Sequence, residues 1–379
     1  MAKLLEPLTL RGTTFANRIW ASPTCQYSCD PDLAPGVPTD WHLVHLGGLA
    51  VGGCGLVLTE AAAVVPEGRI TPQDAGLWNE EQTRAWTRVV DFAHSQGVAI
   101  GVQLAHAGRK ASTHRPWAEQ QGSVPPAEGG WETVGPSALA FGDHAVPTAL
   151  DEAGLERVVT AFADAARRAE TAGFDVVELH AAHGYLLHQF LSPLSNHRTD
   201  GYGGDLAGRS RLLLEVLDAV RAVWPRDKPV LVRLSTSDWV EGGWDVAESV
   251  ELTRELAARG ADLVDASSGG NDPRQRIPVG PGYQVPAAAR IRRETGVPVA
   301  AVGLILEPAQ AEQVLVSGDA DAVFLARPLL ADPRWPQRAA QALHAPEAVA
   351  WPPQYVRATR APVPHVSPRQ ARRGADGTP

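Results

Sequence analysis

The stretch His180-Ala-Ala-His-Gly-Tyr185 sets two imidazoles three residues apart and a phenol two residues beyond the second. An imidazole can donate or accept a hydrogen bond, move a proton or bind a metal, and a phenol is a neutral proton donor at pH 7. Histidines at i and i+3 are also a known metal pair. A metal centre would need a third and usually a fourth matching ligand, and Cys25 and Cys29 are better accounted for otherwise, so no metal is expected. Similar polar positions stand at Ser22-Pro23-Thr24-Cys25, Glu60-Ala61, Gln103 with His106, Arg233, Ser267-Ser268, Gly303 and Arg327. Any one of them alone is usually a satisfied structural group. A function follows only if the fold brings them to one place.

The elements that would do so recur along the chain. An amphipathic helical stretch leads to Gly, then to a short β-branched run ending in a polar residue or glycine. The clearest copies are Gly173-Phe-Asp-Val-Val-Glu-Leu-His180, Gly260-Ala-Asp-Leu-Val-Asp-Ala-Ser267 and Gly318-Asp-Ala-Asp-Ala-Val-Phe-Leu-Ala-Arg327. Glycine suits the left-handed residue that ends a helix, and a continuous apolar run suits a parallel strand buried on both faces. Leu155, Val158, Val159, Phe162, Ala166 and Ala169 fall at helical spacing after a cap at Thr148 or Asp151. The same reading predicts strands near residues 18–22, 55–60, 98–104, 174–179, 229–234, 262–266, 297–302 and 321–325. Strands and helices alternating in this way predict a closed (β/α)8 barrel, whose active site lies where the strands end. An open doubly wound sheet ranks lower, because neither a G-x-G-x-x-G nor a G-x-x-x-x-G-K-[ST] fingerprint follows any strand.

Two segments depart from the repeat. Leu8 to Leu10 and Thr13 to Phe15 flank Arg11-Gly12 and read as a β-hairpin closing the lower end of the barrel. Residues 112–147, rich in Pro, Gly and Trp, form a long insertion after the third strand, expected to act as a lid or pocket wall. Residues 1–357 are read as a single domain and residues 358–379 as a flexible tail. The net charge of -9 is uneven: the tail holds four Arg and one Asp, leaving -12 on the rest. An acidic body argues against nucleic acid as a partner. Three cysteines in a long chain do not suit a disulfide framework and fit a reducing compartment. With no leader-like run at MAKLLEPLTL and no apolar run of about eighteen residues, the chain is expected to be cytoplasmic, away from membranes.

The stretches Ser22-Pro-Thr-Cys-Gln-Tyr27, Glu67-Gly-Arg-Ile-Thr71, Gln103-Leu-Ala-His-Ala-Gly-Arg-Lys110, His180-Ala-Ala-His-Gly-Tyr185 and Ser195-Asn-His-Arg-Thr-Asp-Gly-Tyr-Gly-Gly204 resemble motifs of the Old Yellow Enzyme family, in its thermophilic-like, xenobiotic-reductase branch. The resemblance runs in order from about Leu5 to Arg357. It implies FMN as cofactor and NADPH as hydride donor, with an activated alkene reduced by a ping-pong scheme. Gly303 and Arg327 would hold the FMN phosphate, since loops after strands seven and eight are the usual phosphate site of the fold. Gln103 would pair with the pyrimidine edge of the ring. Arg233 would face N1 and the C2 carbonyl, where negative charge develops on reduction. Ser22, Pro23, Thr24 and Ala61 would line the ring, and Cys25 would tune it through a weak S–H hydrogen bond.

On the substrate side, the resemblance makes His180 and His183 donors to the carbonyl oxygen of an α,β-unsaturated substrate and Tyr185 the proton donor to its α carbon. Tyr27 would close the pocket, with Trp117 or Trp131 completing it. Arg109 or Lys110 would be candidates for the nicotinamide phosphates, an exposed solvated lysine being the plainer reading. Arg357, with Arg360 as fallback, would reach into a neighbouring subunit, implying a homodimer. Three positions depart from the family pattern: Thr24 for Met, Ala326 for Gly before Arg327, and Gly208 for Asn before Arg209. Rival readings are weaker. An iron-sulfur relative would need a cysteine quartet, a storage barrel would not need a proton donor, and a Schiff-base lyase would want a strand-end lysine.

Overall fold

In the computed structural model, which describes residues 2–355 and Arg357, each apolar run that follows a repeat glycine is a barrel strand. The strands are β1 (Ile19–Ala21), β2 (Leu56–Ala63), β3 (Ala99–Ala105), β4 (Val176–Ala181), β5 (Val230–Ser235), β6 (Leu263–Ser267), β7 (Val299–Ala301) and β8 (Ala322–Leu325). They close into one barrel in chain order, every neighbouring pair parallel. The helix before β4, Glu152–Ala172, shows why the repeat works. Asp151 caps it by accepting from the Gly154 amide at 2.7 Å, while Thr148 instead pairs with Val134. Gly173, at φ 92°, ends it by turning the chain into β4.

Side chains alternate across a strand, so every second residue points into the barrel. The lower interior is apolar: Trp20, Leu56, Leu58, Val176, Leu231 and Leu263 share one buried cluster. The N-terminal hairpin Leu8–Leu10 and Thr13–Phe15 adds Leu10 and Phe15 to that cluster. Trp20 lies between Phe15 and Phe324, with ring centroids 4.8 and 5.4 Å away. Each such pair adds about 0.5–1.5 kcal/mol beyond area burial. Two residues further along the same strands the interior turns polar, with Ser22, Gln103, Glu178, Arg233 and Asp265 all buried. Register holds these together: Gln103 stands opposite Glu178, and Arg233 opposite both His180 and Asp265.

The 112–147 insertion has little regular structure and is fastened by side chains. Ser112 Oγ donates to Val124 O and accepts from the Trp131 amide, and Val134–Gly135 pairs with Thr148–Ala149. No helix among the described residues is long and apolar enough to cross a membrane. The 358–379 tail and Arg360 lie outside the described residues.

Candidate active site

Strand β4 ends at Ala181, and the turn after it is built to present two imidazoles and a phenol. The Ala182 amide donates to His180 Nδ1 at 3.3 Å, so in the neutral ring Nε2 carries the proton. His183 sits in the left-handed region at φ 58°, and its amide donates to Ser235 Oγ at 2.9 Å. Gly184 follows at φ 73°, where a Cβ would lie 2.2 Å from Gly270 O, so only glycine lets the β4 and β6 loops approach this closely. Lys110 Nζ ties the same loops, donating to His183 O and Gly270 O at 2.9 Å each. The His180 ring lies 5.2 Å from that of His183 and 4.9 Å from that of Tyr185, and His183 Nε2 is hydrogen-bonded to Ser267 Oγ at 2.8 Å. Burial first, then the Arg233 charge, holds both imidazoles well below their usual 6.5. Burial above all, with Cys25 and Asp74 close by, pushes the Tyr185 phenol well above 10. At neutral pH the cluster is two neutral imidazoles and an intact phenol.

Beneath it, Gln103 Nε2 donates to Glu178 Oε1 at 2.8 Å. Arg233 pairs with Asp265 through Nε at 3.0 Å and donates from Nη1 to Ser22 Oγ at 3.1 Å. Burial, then the nearby Asp265 charge, pushes Glu178 up to about 8. Burial pushes Asp265 up to about 6 against the pull of Arg233.

The β1 end carries the Ser22–Tyr27 segment. Thr24 Oγ1 folds back on Ser22 O at 3.1 Å, and the Gln26 amide donates to Glu60 Oε2 at 3.0 Å. Glu60 Oε1 also meets His42 Nε2 at 2.9 Å, and His42 Nδ1 accepts from the Thr39 amide. Cys29 Sγ lies 3.9 Å from that same Nε2. Acid and thiol therefore address one nitrogen, which is not the arrangement of an acid–histidine–thiol relay. Cys25 stays a thiol: burial, then Asp74 and Glu60, raises it well above 9. Tyr27, at φ 50°, packs edge-on against Trp117 at 5.6 Å. Across the rim, Gly303, Leu304, Ala326 and Arg327 line a cavity of about 140 Å³ between the ends of β7 and β8.

The family model of the NADH:flavin oxidoreductase / NADH oxidase family matches residues 3–345. The chain belongs to that family. It is 46% identical over 358 residues to the NADPH dehydrogenase of Geobacillus thermodenitrificans, covering 94% of this chain and 98% of the relative. To the NADPH dehydrogenase of Bacillus subtilis it is 42% identical over 356 residues, with 94% and 98% covered. Among solved structures, the old yellow enzyme from Trypanosoma cruzi superposes with a TM-score of 0.75 at 25% identity, over 90% of this chain and 92% of that one. Morphinone reductase gives 0.75 at 29% identity, with 89% of each chain covered. The protein is thus an NAD(P)H-dependent flavin oxidoreductase of the Old Yellow Enzyme kind, with FMN as its cofactor.

The residues present fit that cofactor. A Cβ at Gly303 would sit 2.7 Å from Gln284 Nε2, so the bare backbone there keeps open the cradle beside Arg327. Ala61, Gln103, His180 and Arg233 stand just inside the C-terminal end of a strand, and Ser22, Pro23, Gly303 and Arg327 one or two residues beyond one, all in a single barrel. Other expectations change. Lys110 is not a solvated lysine: its ammonium is held by two carbonyls, and burial, then Arg109, lowers it to about 8. Arg109 is buried too and donates to Asn271 O at 2.6 Å, so neither is a free phosphate clamp. Trp131 stacks on Arg69 at 4.7 Å and donates to Glu67 O. The Gly208 departure has a reason: a Cβ there would be 2.1 Å from Gly203 O. Sequence reasoning gave no role to Glu178 or Asp265. The available signal was a carboxyl inside a buried strand, two residues before a strand-end polar group.

Proposed function

We propose that this chain is an ene-reductase for α,β-unsaturated carbonyls or similarly activated alkenes, in which FMN, when bound, would supply the relay of hydride from NADPH to the β carbon in a ping-pong scheme. The observation that carries this reading is the neutral His180–His183–Tyr185 cluster over the Gln103–Arg233 floor. His180 offers a fixed Nε2–H to the substrate oxygen, and His183 joins it by exchanging Ser267 for that oxygen. Two neutral donors stabilise the negative charge that develops there without first giving up a proton. The Tyr185 phenol protonates the α carbon. Gly303 and Arg327 would hold the phosphate, and Gln103 and Arg233 the pyrimidine edge. Ser22, Pro23, Thr24, Cys25 and Ala61 line the ring, with Tyr27 and Trp117 walling the substrate side.

Anaerobic titration tests this. NADPH bleaches the yellow protein, and 2-cyclohexenone or a maleimide restores the colour. In Tyr185→Phe the oxidative half-reaction slows by about 10²–10⁴, while reduction by NADPH changes far less. Bleaching without restoration, or equal slowing of both halves, defeats the assignment.

The unit is a cytoplasmic homodimer in which Arg357, exposed in the single chain, completes the neighbouring site. Sedimentation shows the dimer, cell fractionation the compartment, and Arg357→Ala raises KM for the alkene. An unchanged KM removes the inserted arginine.

A further inference from the structure

Three charged side chains meet inside the barrel, and the function above uses only one. Glu178 on β4 and Asp265 on β6 flank the Arg233 strand on either side, all pointing inward. Both carboxyls are 0% exposed. Asp265 has the guanidinium at 3.0 Å, whereas Glu178 is met only by the Gln103 amide. Glu178 Oε2 and Asp265 Oδ1 have no hydrogen-bond partner. The neighbours that bond to this group are uncharged: Ser22 accepts from Arg233, Thr59 accepts from the Gln103 backbone amide, and Gln103 donates to Glu178, while His180 and His183 above are neutral. Two buried carboxylates against one cation would leave a net charge in a low-dielectric interior, which is strongly disfavoured. Protonating one carboxyl removes that cost.

We propose that Glu178 and Asp265 hold one proton between them across Arg233, resting mainly on Glu178, and that this pair sets how strongly the site favours negative charge on the reduced cofactor. The second half rests on the placement of FMN over Gln103 and Arg233 given above. The hydrogen bonding is consistent: the carbonyl oxygen of a protonated Glu178 accepts from Gln103, fixing the amide's orientation, and Asp265 remains the counter-ion of Arg233. The displacements of the two groups agree: burial raises both, and Glu178 lies higher than Asp265. With the proton in place the floor is neutral. Without it the floor is negative and disfavours electron gain.

Two measurements separate the parts. Infrared spectra of the holoenzyme at pH 7 show a protonated-carboxyl C=O stretch that disappears in Glu178→Gln and, because Glu178 then ionises beside Arg233, also in Asp265→Asn. In the unmutated protein the same stretch fades as pH passes about 8, which needs no variant to fold. The midpoint potential of bound FMN changes little in either single variant, since each leaves one carboxylate against Arg233. The double variant leaves Arg233 unbalanced and favours reduced over oxidised FMN about tenfold or more. Absence of a Glu178-dependent stretch, or additive single-variant shifts in potential, overturns the shared proton. A Glu178-dependent stretch together with a potential indifferent to the double variant overturns the pair's role and, with it, the placement of the cofactor.

Discussion

The lower and upper halves of the barrel interior are built from the same strands and do opposite work. Leu231 and Arg233 are successive inward positions on β5, and Leu263 and Asp265 on β6. The lower position in each case joins the apolar cluster under Trp20, and the upper joins a charged network. Because the inward period is two, a strand can change duty over about 7 Å without any change in backbone. The chain thus separates what holds the barrel closed from what the barrel holds.

Removing one residue from each half should break the molecule differently. Arg233→Ala has the larger effect: it strips Asp265 of its partner, costs about 3–5 kcal/mol in urea unfolding, and the protein is purified without its yellow colour. Leu231→Ala leaves a cavity and costs about 2–5 kcal/mol. Its FMN content and half-reaction rates stay those of the parent. Loss of FMN in Leu231→Ala comparable to that in Arg233→Ala would show that the two layers are one unit.

The lower half was the more legible in the sequence. Apolar runs after Gly173, Gly260 and Gly318 located strands because burial on both faces leaves a continuous signature, and the strand ends then named His180, Arg233 and Arg327. The upper half was legible only at its tips. Glu178 and Asp265 sat within those runs as exceptions, and their meaning depends on Arg233, a partner brought alongside by strand register. Lys110 misled for a similar reason. Its two carbonyl partners come from loops 73 and 160 residues away. The 112–147 insertion has no periodicity to read, and its contacts, such as Trp117 on Tyr27 and Ser112 on Val124, join residues that no local pattern pairs. Local pattern reveals elements whose partners are water or apolar bulk, and leaves hidden those whose partners are single distant groups.

The smallest effect that distinguishes the halves is in the pH dependence of stability. Glu178, raised to about 8 in the fold from an ordinary value near 4.5, keeps a proton that the unfolded chain has lost. The folded state therefore binds more protons between those values, and stability falls as pH rises through about 8. Asp74, buried and raised to about 7, acts in the same direction. His106, lowered to about 4, and His180 and His183, lowered by burial, act oppositely: below about 6.5 the unfolded chain takes up protons the fold refuses, so stability falls with pH there. Leu231 carries no titratable group and should not change either arm. Between pH 7 and 8 the parent and Leu231→Ala should lose about 1 kcal/mol more than Glu178→Gln, which retains the Asp74 contribution and the opposing one of Lys110, lowered to about 8. Equal losses in all three would mean that Glu178 is already ionised in the folded barrel, and the polar layer would then have to balance its charge by some group other than a shared proton.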